Sequence, residues 1–162
     1  QRETSEVDGI MRIFRHVIGK RWQRLHEKGV RVQVIGDISK FAPDIRASLK
    51  KVIEQTKENT KITAVFALNY GGRDEILRAM NKLDRTKTVK TGDVSGALDT
   101  SGMPDPDLII RTGGEQRLSG FLLWQSEYSE LYFPEFYMPE FTPEKLDEAI
   151  EEYVSRQRRF WK

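Results

Sequence analysis

Cysteine is absent from the 162-residue sequence, and histidine occurs only at His16 and His26. The lack of cysteine excludes disulfide bonds, thiolate metal sites and cysteine nucleophiles. The two histidines lack metal-ligand spacing, so a zinc site or a histidine-dependent triad is poorly supplied. No apolar run approaches the roughly 18–20 residues that a membrane-spanning helix needs. Excess charge is also missing: 27 Lys+Arg against 25 Asp+Glu give a net charge of +2, which excludes a dominant polybasic arm or acidic tail.

The residues that are present suit one soluble globular domain. Apolar residues make up 38% of the chain, and the mean hydropathy is −0.60. A chain of this length can bury a substantial core. The sequence begins at Gln1 rather than at methionine and shows no signal peptide. We therefore expect residues 1–162 to be the C-terminal portion of a longer single domain.

Strand and helix patterns alternate along the chain, which predicts an α/β fold with a mainly parallel central sheet flanked by helices. Apolar spacing of three and four residues predicts helices over 5–28, over 42–59 and around 76–83. Strands are predicted at 30–35, 62–68 and 108–110, the second of them buried on both faces. Residues 84–106 read mostly as loop. A last helix is predicted from Thr142 and Pro143, with four residues facing inward: Leu146, Ile150, Tyr153 and Val154.

The first predicted helix has an apolar arc wider than a single stripe. A wide arc fits a helix that is simply well buried in the core, which base rates favour. It also fits a helix with one face on the sheet and another lining an apolar cavity. Both interpretations stay open on the pattern alone.

Polar residues and glycines follow three predicted strands: Asp37, the segment 69–73 and the segment 111–119. In open parallel sheets, ligands bind beyond the carboxyl ends of the strands. We therefore expect these three segments to meet at one rim of the sheet and to form the functional site there.

The segment 111–119 carries the strongest chemical signal. Gly113 and Gly114 allow a turn whose N–H groups could face a ligand. Arg111 and Arg117 flank this turn, and arginine suits the bidentate binding of phosphate oxygens. With the hydroxyl of Ser119, the set matches a diphosphate. A surface turn with salt-bridged arginines is an equally weighted alternative.

Two glutamates, Glu115 and Glu130, accompany this basic segment. A carboxylate near a diphosphate is favourable when Mg²⁺ mediates, because Mg²⁺ binds one or two carboxylates together with phosphate oxygens. Glu130 stands in an aromatic stretch, where an unpaired carboxylate would be costly. The alternative is a glutamate paired with an arginine of the same loop.

The motifs DLIIRTGGEQRLSGFLLWQSEYSELYF (107–133), ALNYGGRDEI (67–76), VIGD (34–37) and RQRRF (156–160) resemble those of cis-prenyltransferases, and most of all undecaprenyl diphosphate synthases. The resemblance covers nearly the whole chain. It implies a Mg²⁺-dependent homodimeric enzyme that condenses isopentenyl diphosphate with an allylic diphosphate to a polyprenyl diphosphate. It also implies a cytoplasmic enzyme working near a membrane surface, and it raises the odds that the first helix lines a product tunnel.

The resemblance assigns roles to particular residues of this chain. Four residues fall on positions that hold isopentenyl diphosphate: Arg111, Arg117, Leu118 and Ser119. Glu130 falls on a Mg²⁺ ligand position. Arg2 falls on a substrate contact, with Glu6 beside it. Glu115 lies in the signature next to substrate or metal.

One element of the family pattern is missing from this sequence. The phosphate loop Asp-Gly-Asn-Gly-Arg-Trp, which binds the allylic diphosphate and supplies the essential aspartate, does not occur. We expect it upstream of Gln1, together with the first strand of the sheet. No catalytic residue is therefore assigned within this chain, which alone would be inactive.

Two other functions compete with an enzyme. A non-catalytic partner subunit of a cis-prenyltransferase complex would explain the missing loop, but it has no need for both arginines, Ser119 and Glu130. A nucleic-acid binder would use the basic residues of 156–162, which the near-neutral net charge makes a poor candidate.

Overall fold

The computed structural model describes residues 22–84 and 86–156. The chain divides into two compact units, the first ending at Tyr70 and the second beginning at Gly71. Each unit contains one pair of parallel strands flanked by helices, which confirms the predicted fold class. The prediction of a single domain over 1–162 stays a prediction. Residues 5–21 of the predicted first helix, and with them Glu6, lie outside the described residues, as do Arg2 and the tail 157–162.

The first unit is built around two parallel strands. Helix α1 (Trp22–Glu27) leads into β1 (Val30–Ile35), a 3₁₀ turn (Ile38–Lys40), α2 (Pro43–Thr56) and β2 (Ile62–Ala67). The strands pair in register from Val30 with Ile62 to Ile35 with Ala67. Gly29 has a φ of +73° and its N–H donates to the carbonyl of His26, so it ends α1 as predicted.

The core of this unit lies between β1 and α2. Its buried members are Val30, Val32 and Ile35 of the strand and Ile45, Leu49 and Val52 of the helix. Thr56 is fully buried at the end of α2, where its hydroxyl accepts from the N–H of Val32 at 3.0 Å and donates to the carbonyl of Val52 at 2.9 Å. The hydroxyl thus gives the buried N–H of Val32 an acceptor, which burial would otherwise make costly to leave unpaired.

The expectation that β2 is buried on both faces is wrong. Ile62 is 62% exposed and Phe66 is 43% exposed. Within the described residues β2 pairs with β1 alone. A continuous apolar run shows that a strand can be buried on both faces. Whether it is buried depends on which elements pack against those faces.

The second unit contains α3 (Gly72–Lys82), α4 (Thr91–Ala97), β3 (Leu108–Ile110), β4 (Glu130–Tyr132), a 3₁₀ turn (Met138–Glu140) and α5 (Pro143–Ser155). The strands are parallel, with Leu108 opposite Glu130 and Ile110 opposite Tyr132. Residues 84–106 are mostly loop, as predicted, apart from α4, which the sequence pattern did not reveal. Two glycines hid this helix, whose start is fixed by the Asp93 carboxylate accepting from the N–H of Lys90 at 2.9 Å.

Helix α5 begins as predicted, since Thr142 caps it and Pro143 occupies its first turn. Of the four residues predicted to face inward, Tyr153 is half-buried, and the prediction is wrong for the other three. Leu146 and Ile150 are exposed, Val154 is 71% exposed, and Ala149 is the buried residue. The periodic pattern identified the helix, but the surface against which it packs selected a different face.

Gly36 offers a test of the strand exit in the first unit. Its φ is +99°, and a Cβ there would overlap the carbonyl oxygen of Leu68. We expect Gly36→Ala to destabilise the protein by about 1–3 kcal/mol or more, because a side chain is strained in this conformation and meets backbone. Chemical denaturation measures the change.

The matched control is Gly92→Ala in α4, where a Cβ meets no atom within 4 Å. It should leave stability unchanged or raise it by up to about 1 kcal/mol. Equal unfolding midpoints for the two variants would contradict the role assigned to Gly36.

Candidate functional site

The loop after β3 is fixed at its base by backbone hydrogen bonds. The N–H of Arg111 donates to the carbonyl of Tyr132 at 2.9 Å, which continues the strand pairing by one residue. Gly113 and Gly114 have φ values of +94° and +70°. Their N–H groups donate to the carbonyls of Phe136 at 2.8 Å and Pro134 at 2.9 Å.

These bonds correct the expectation that the two glycine amides face a ligand. The amides attach the loop to the segment that follows β4 instead. Glycine is still required for the turn, since both residues occupy the left-handed region. Recognition of an anion by this loop therefore depends on its side chains.

Arg111 joins the two ends of the loop. Its Nη1 donates to the hydroxyl of Ser119 at 2.8 Å and to the carbonyl of Arg117. The structure thus brings the Arg111 guanidinium to the hydroxyl of Ser119 and to the main chain of Arg117, which lie close in sequence but need a folded loop to meet. Leu118 lies half-buried between the last two.

Arg117 and Glu115 form an ion pair at the solvent-exposed side of the loop, with 61% and 51% of their side chains exposed. Exposed ion pairs contribute at most about 1 kcal/mol. The guanidinium of Arg117 can therefore exchange Glu115 for a more highly charged anion. With two guanidiniums, one carboxylate and one hydroxyl, the loop suits a compact polyanion.

Glu130 lies at the opposite end of the β3–β4 strand pair from Arg111. It is the first residue of β4, opposite Leu108, whereas Arg111 follows the last residue of β3. Three residues of strand separate the two levels by about 10 Å. The described contacts join Glu130 to Arg156 at the end of α5, with Nη1 to Oε2 at 3.0 Å.

The Glu130–Arg156 pair is half-buried and well connected. The same Nη1 of Arg156 donates to the carbonyl of Leu131 at 2.9 Å. Hydrogen bonding to Glu130 raises the pKa of the Arg156 guanidinium, and Glu152 adds to this. Glu130 is therefore paired with an arginine, as the alternative interpretation foresaw, but with one from the last helix rather than from the same loop.

The donor set does not suit Mg²⁺ as it stands. Within residues 22–84 and 86–156, no three His, Asp or Glu side chains are grouped to hold a metal ion. The carboxylate of Glu130 is paired with Arg156, and this ion pair would have to open before Glu130 could bind Mg²⁺. The part of the chain that the structure describes does not by itself form a magnesium site.

A buried polar network, which the sequence reading missed, supports the segment after Ser119. Glu75 of α3 is 1% exposed. Its Oε1 accepts from the N–H of Asp99 at 2.9 Å and its Oε2 accepts from Gln125 Nε2 at 3.0 Å. Gln125 also donates to Thr100 at 2.8 Å.

Arg78 completes this network by donating to both carboxylate oxygens of Asp99 at 2.6 Å and to Asp74 at 2.8 Å. The hydrogen bond with Asp99 raises the pKa of Arg78. One signal could have revealed the network: Glu75 shares the buried face of α3 with Gly72 and Ala79, and a carboxylate on a buried helix face needs partners.

Two of the three predicted strand exits meet within the first unit. Asn69 has a φ of +46°, and its Nδ2 donates to the carbonyl of Asp37 at 2.9 Å. The carboxylate of Asp37 accepts from the N–H of Ser39 at 2.9 Å, so it caps the 3₁₀ turn. The predicted meeting of both exits with the segment 111–119 stays a prediction.

Comparison with known proteins now identifies the class to which this architecture and loop belong. The sequence model of the family described as "Putative undecaprenyl diphosphate synthase" matches residues 1–161. An isoprenyl transferase of Agrobacterium fabrum is 45% identical over 168 residues, which covers 99% of this chain and 68% of the relative. An isoprenyl transferase of Clostridium perfringens is 43% identical over 170 residues, which covers 99% and 66%.

Solved structures agree. A probable undecaprenyl diphosphate synthase from Campylobacter jejuni superposes with a TM-score of 0.88 at 31% identity, covering 98% of this chain and 76% of the other. Lavandulyl diphosphate synthase from Lavandula x intermedia, solved with dimethylallyl diphosphate, gives a TM-score of 0.92 at 29% identity, covering 98% and 72%.

The chain belongs to the undecaprenyl diphosphate synthase family of prenyltransferases, which confirms the resemblance drawn from its motifs. Among the described residues, no helix is long and apolar enough to cross a membrane.

The pairing of Glu130 with Arg156 can be measured by a double-mutant cycle of Glu130→Gln and Arg156→Ala. We expect a coupling free energy of about 0.2–1 kcal/mol, because the pair is only half-buried. It should shrink at high salt. Glu152→Gln, which removes a longer 3.3 Å contact of Arg156, is the matched control. A coupling of zero would show that Arg156 does not hold Glu130.

Proposed function

We propose that this protein performs cis-prenyl chain elongation, condensing isopentenyl diphosphate with an allylic diphosphate to form a polyprenyl diphosphate. The family and its isoprenyl transferase relatives support this activity. In this reaction the allylic carbon–oxygen bond breaks and diphosphate leaves. The double bond of isopentenyl diphosphate attacks the allylic carbon, and a proton is then lost to give the new cis double bond.

The observation that carries the proposal is the joining of Arg111, Arg117 and Ser119 in one loop by the Arg111 guanidinium. In the proposal these three side chains bind the diphosphate of isopentenyl diphosphate, which keeps its diphosphate throughout the reaction. Leu118 lies between the two binding residues. Holding this group fixes the double bond against the allylic carbon, which converts a bimolecular encounter into an oriented one.

Glu115 has a supporting part in the proposal. Its ion pair with Arg117 keeps that guanidinium at the loop before substrate arrives. A diphosphate then replaces the carboxylate, since its charge is higher and its oxygens match the guanidinium donors. The residues named above are proposed to bind isopentenyl diphosphate. Arg2 and Glu6 are included in the proposal only because of the family resemblance.

Homodimer formation and a cytoplasmic place beside a membrane surface, where the apolar product would be delivered, are also part of the proposal. Both rest on the family resemblance.

Arg117→Ala tests the diphosphate site. We expect it to raise the KM for isopentenyl diphosphate and to lower kcat, with kcat/KM falling about 10–100-fold, the effect of removing a hydrogen bond between charged groups. Steady-state kinetics in the intact enzyme measures it. Arg31→Ala, at an exposed position of β1, is the control and should behave as the unmodified protein. Unchanged kinetics for Arg117→Ala would remove the diphosphate assignment.

The proposal also includes dependence of the activity on Mg²⁺. The family resemblance makes Glu130 a Mg²⁺ ligand, although Glu130 is paired with Arg156 in the structure. Chelation should abolish turnover and added Mg²⁺ should restore it. If Glu130 is a ligand, Glu130→Gln raises the Mg²⁺ concentration needed for half-maximal rate about tenfold or more. The exposed Glu127→Gln is the control. An unchanged Mg²⁺ titration for Glu130→Gln would remove it from the metal assignment.

A further inference from the structure

The backbone from Ser119 to Leu122 is held in an unusual conformation. Ser119 has a φ of +50°, Gly120 of +84° and Leu122 of +45°. Residues with a side chain rarely occupy this region, and each such conformation costs of order 1–3 kcal/mol. Strain of this kind persists only where the surroundings impose it. Something outside the segment must therefore hold Ser119 in place.

The first turn of α3 makes the contacts that do so. The N–H of Gly72, one of the free donors at a helix start, donates to the carbonyl of Gly120 at 2.7 Å. One turn later, the buried carboxylate of Glu75 accepts from Gln125 at 3.0 Å. The helix thus binds the segment at the residue after Ser119 and again five residues further on.

The contact at Gly72 leaves no room for a side chain. A Cβ on Gly72 would lie 2.8 Å from the carbonyl oxygen of Gly120 and 2.8 Å from Cγ of Leu123. Leu123 has a flexible side chain, but the carbonyl belongs to the strained backbone itself. The neighbouring Gly71 differs, because a Cβ there meets nothing within 4 Å and its φ of −149° suits any residue.

We propose that Gly72 is a positioning residue for isopentenyl diphosphate. Because Gly72 has no side chain, the start of α3 can hydrogen-bond to the carbonyl of Gly120, and this bond fixes the hydroxyl of Ser119 in the diphosphate site. This inference rests on the function proposed above. Gly72 touches no substrate; it acts through the backbone of 119–122. Displacement of Ser119 by a fraction of an ångström weakens the binding of one substrate and leaves the other unaffected.

The test compares Gly72→Ala with Gly92→Ala, another helical glycine, where a Cβ meets nothing within 4 Å, in the intact enzyme. Gly72→Ala should raise the KM for isopentenyl diphosphate about tenfold, while the KM for the allylic diphosphate stays within about twofold, since misplacing a binding group acts on the substrate that it holds. Gly92→Ala should leave both values unchanged. Alanine is the better helix former, so a loss at Gly72 cannot come from helix propensity.

Arg117→Ala separates the two proposals. If Arg117→Ala raises the KM for isopentenyl diphosphate and Gly72→Ala matches Gly92→Ala, the positioning role of Gly72 is overturned and the diphosphate site stands. If neither Arg117→Ala nor Gly72→Ala changes this KM, both are overturned. A general loss in Gly72→Ala that raises both KM values equally also overturns the positioning role.

A second measurement needs no variant and covers the case in which Gly72→Ala does not fold. Hydrogen–deuterium exchange of the Gly72 amide in the unmodified enzyme should slow on saturation with isopentenyl diphosphate, because the bound diphosphate steadies the acceptor carbonyl of Gly120. The Leu146 amide, bonded to the Thr142 carbonyl in α5, is the reference and should not change. An unchanged rate at Gly72 under saturation would overturn the inference.

Discussion

The hydrogen bonds of the Arg111 guanidinium are the interaction on which the candidate site depends. They tie the start of the loop to Arg117 and Ser119 at its end. The glycine turn itself is held by the backbone bonds of Gly113 and Gly114, and the Arg111 bonds add the link to the far end of the loop. If the proposed diphosphate site is right, these bonds reduce the rearrangement that binding requires at Arg111 and Ser119.

The carboxylates of the second unit differ in how deeply they are buried and in how they are paired. The more buried carboxylates are fully engaged, Glu75 by Asp99 and Gln125, and Asp99 by Arg78. The Glu115–Arg117 pair is the most exposed of these contacts, and it lies in the loop where a ligand is expected. The buried carboxylates thus help to stabilise the fold, whereas the exposed Glu115–Arg117 pair contributes little to stability and can exchange with a ligand.

Local patterns allowed much of the fold to be predicted. Both helix starts with proline, the glycine after α1 and the strands β1, β2 and β3 were found because each depends on residues within a few positions of one another. Predictions of burial did worse. The outward stripe of Leu146, Ile150 and Val154 and the exposed β2 depend on which surfaces meet, and a periodic pattern shows an apolar face without showing its partner.

The sequence by itself determined β1, β2 and β3 with the helices α2, α3 and α5, and it placed Arg111, Arg117 and Ser119 in one short segment, but it did not reveal α4 or β4. Tertiary structure alone decided that the glycine amides bond to 134 and 136, that Glu130 pairs with Arg156, and that Gly72 meets Gly120. The reason is separation along the chain: local residues interact through fixed helix and strand periods, whereas partners tens of residues apart are chosen only when the chain folds and every buried polar group must find one.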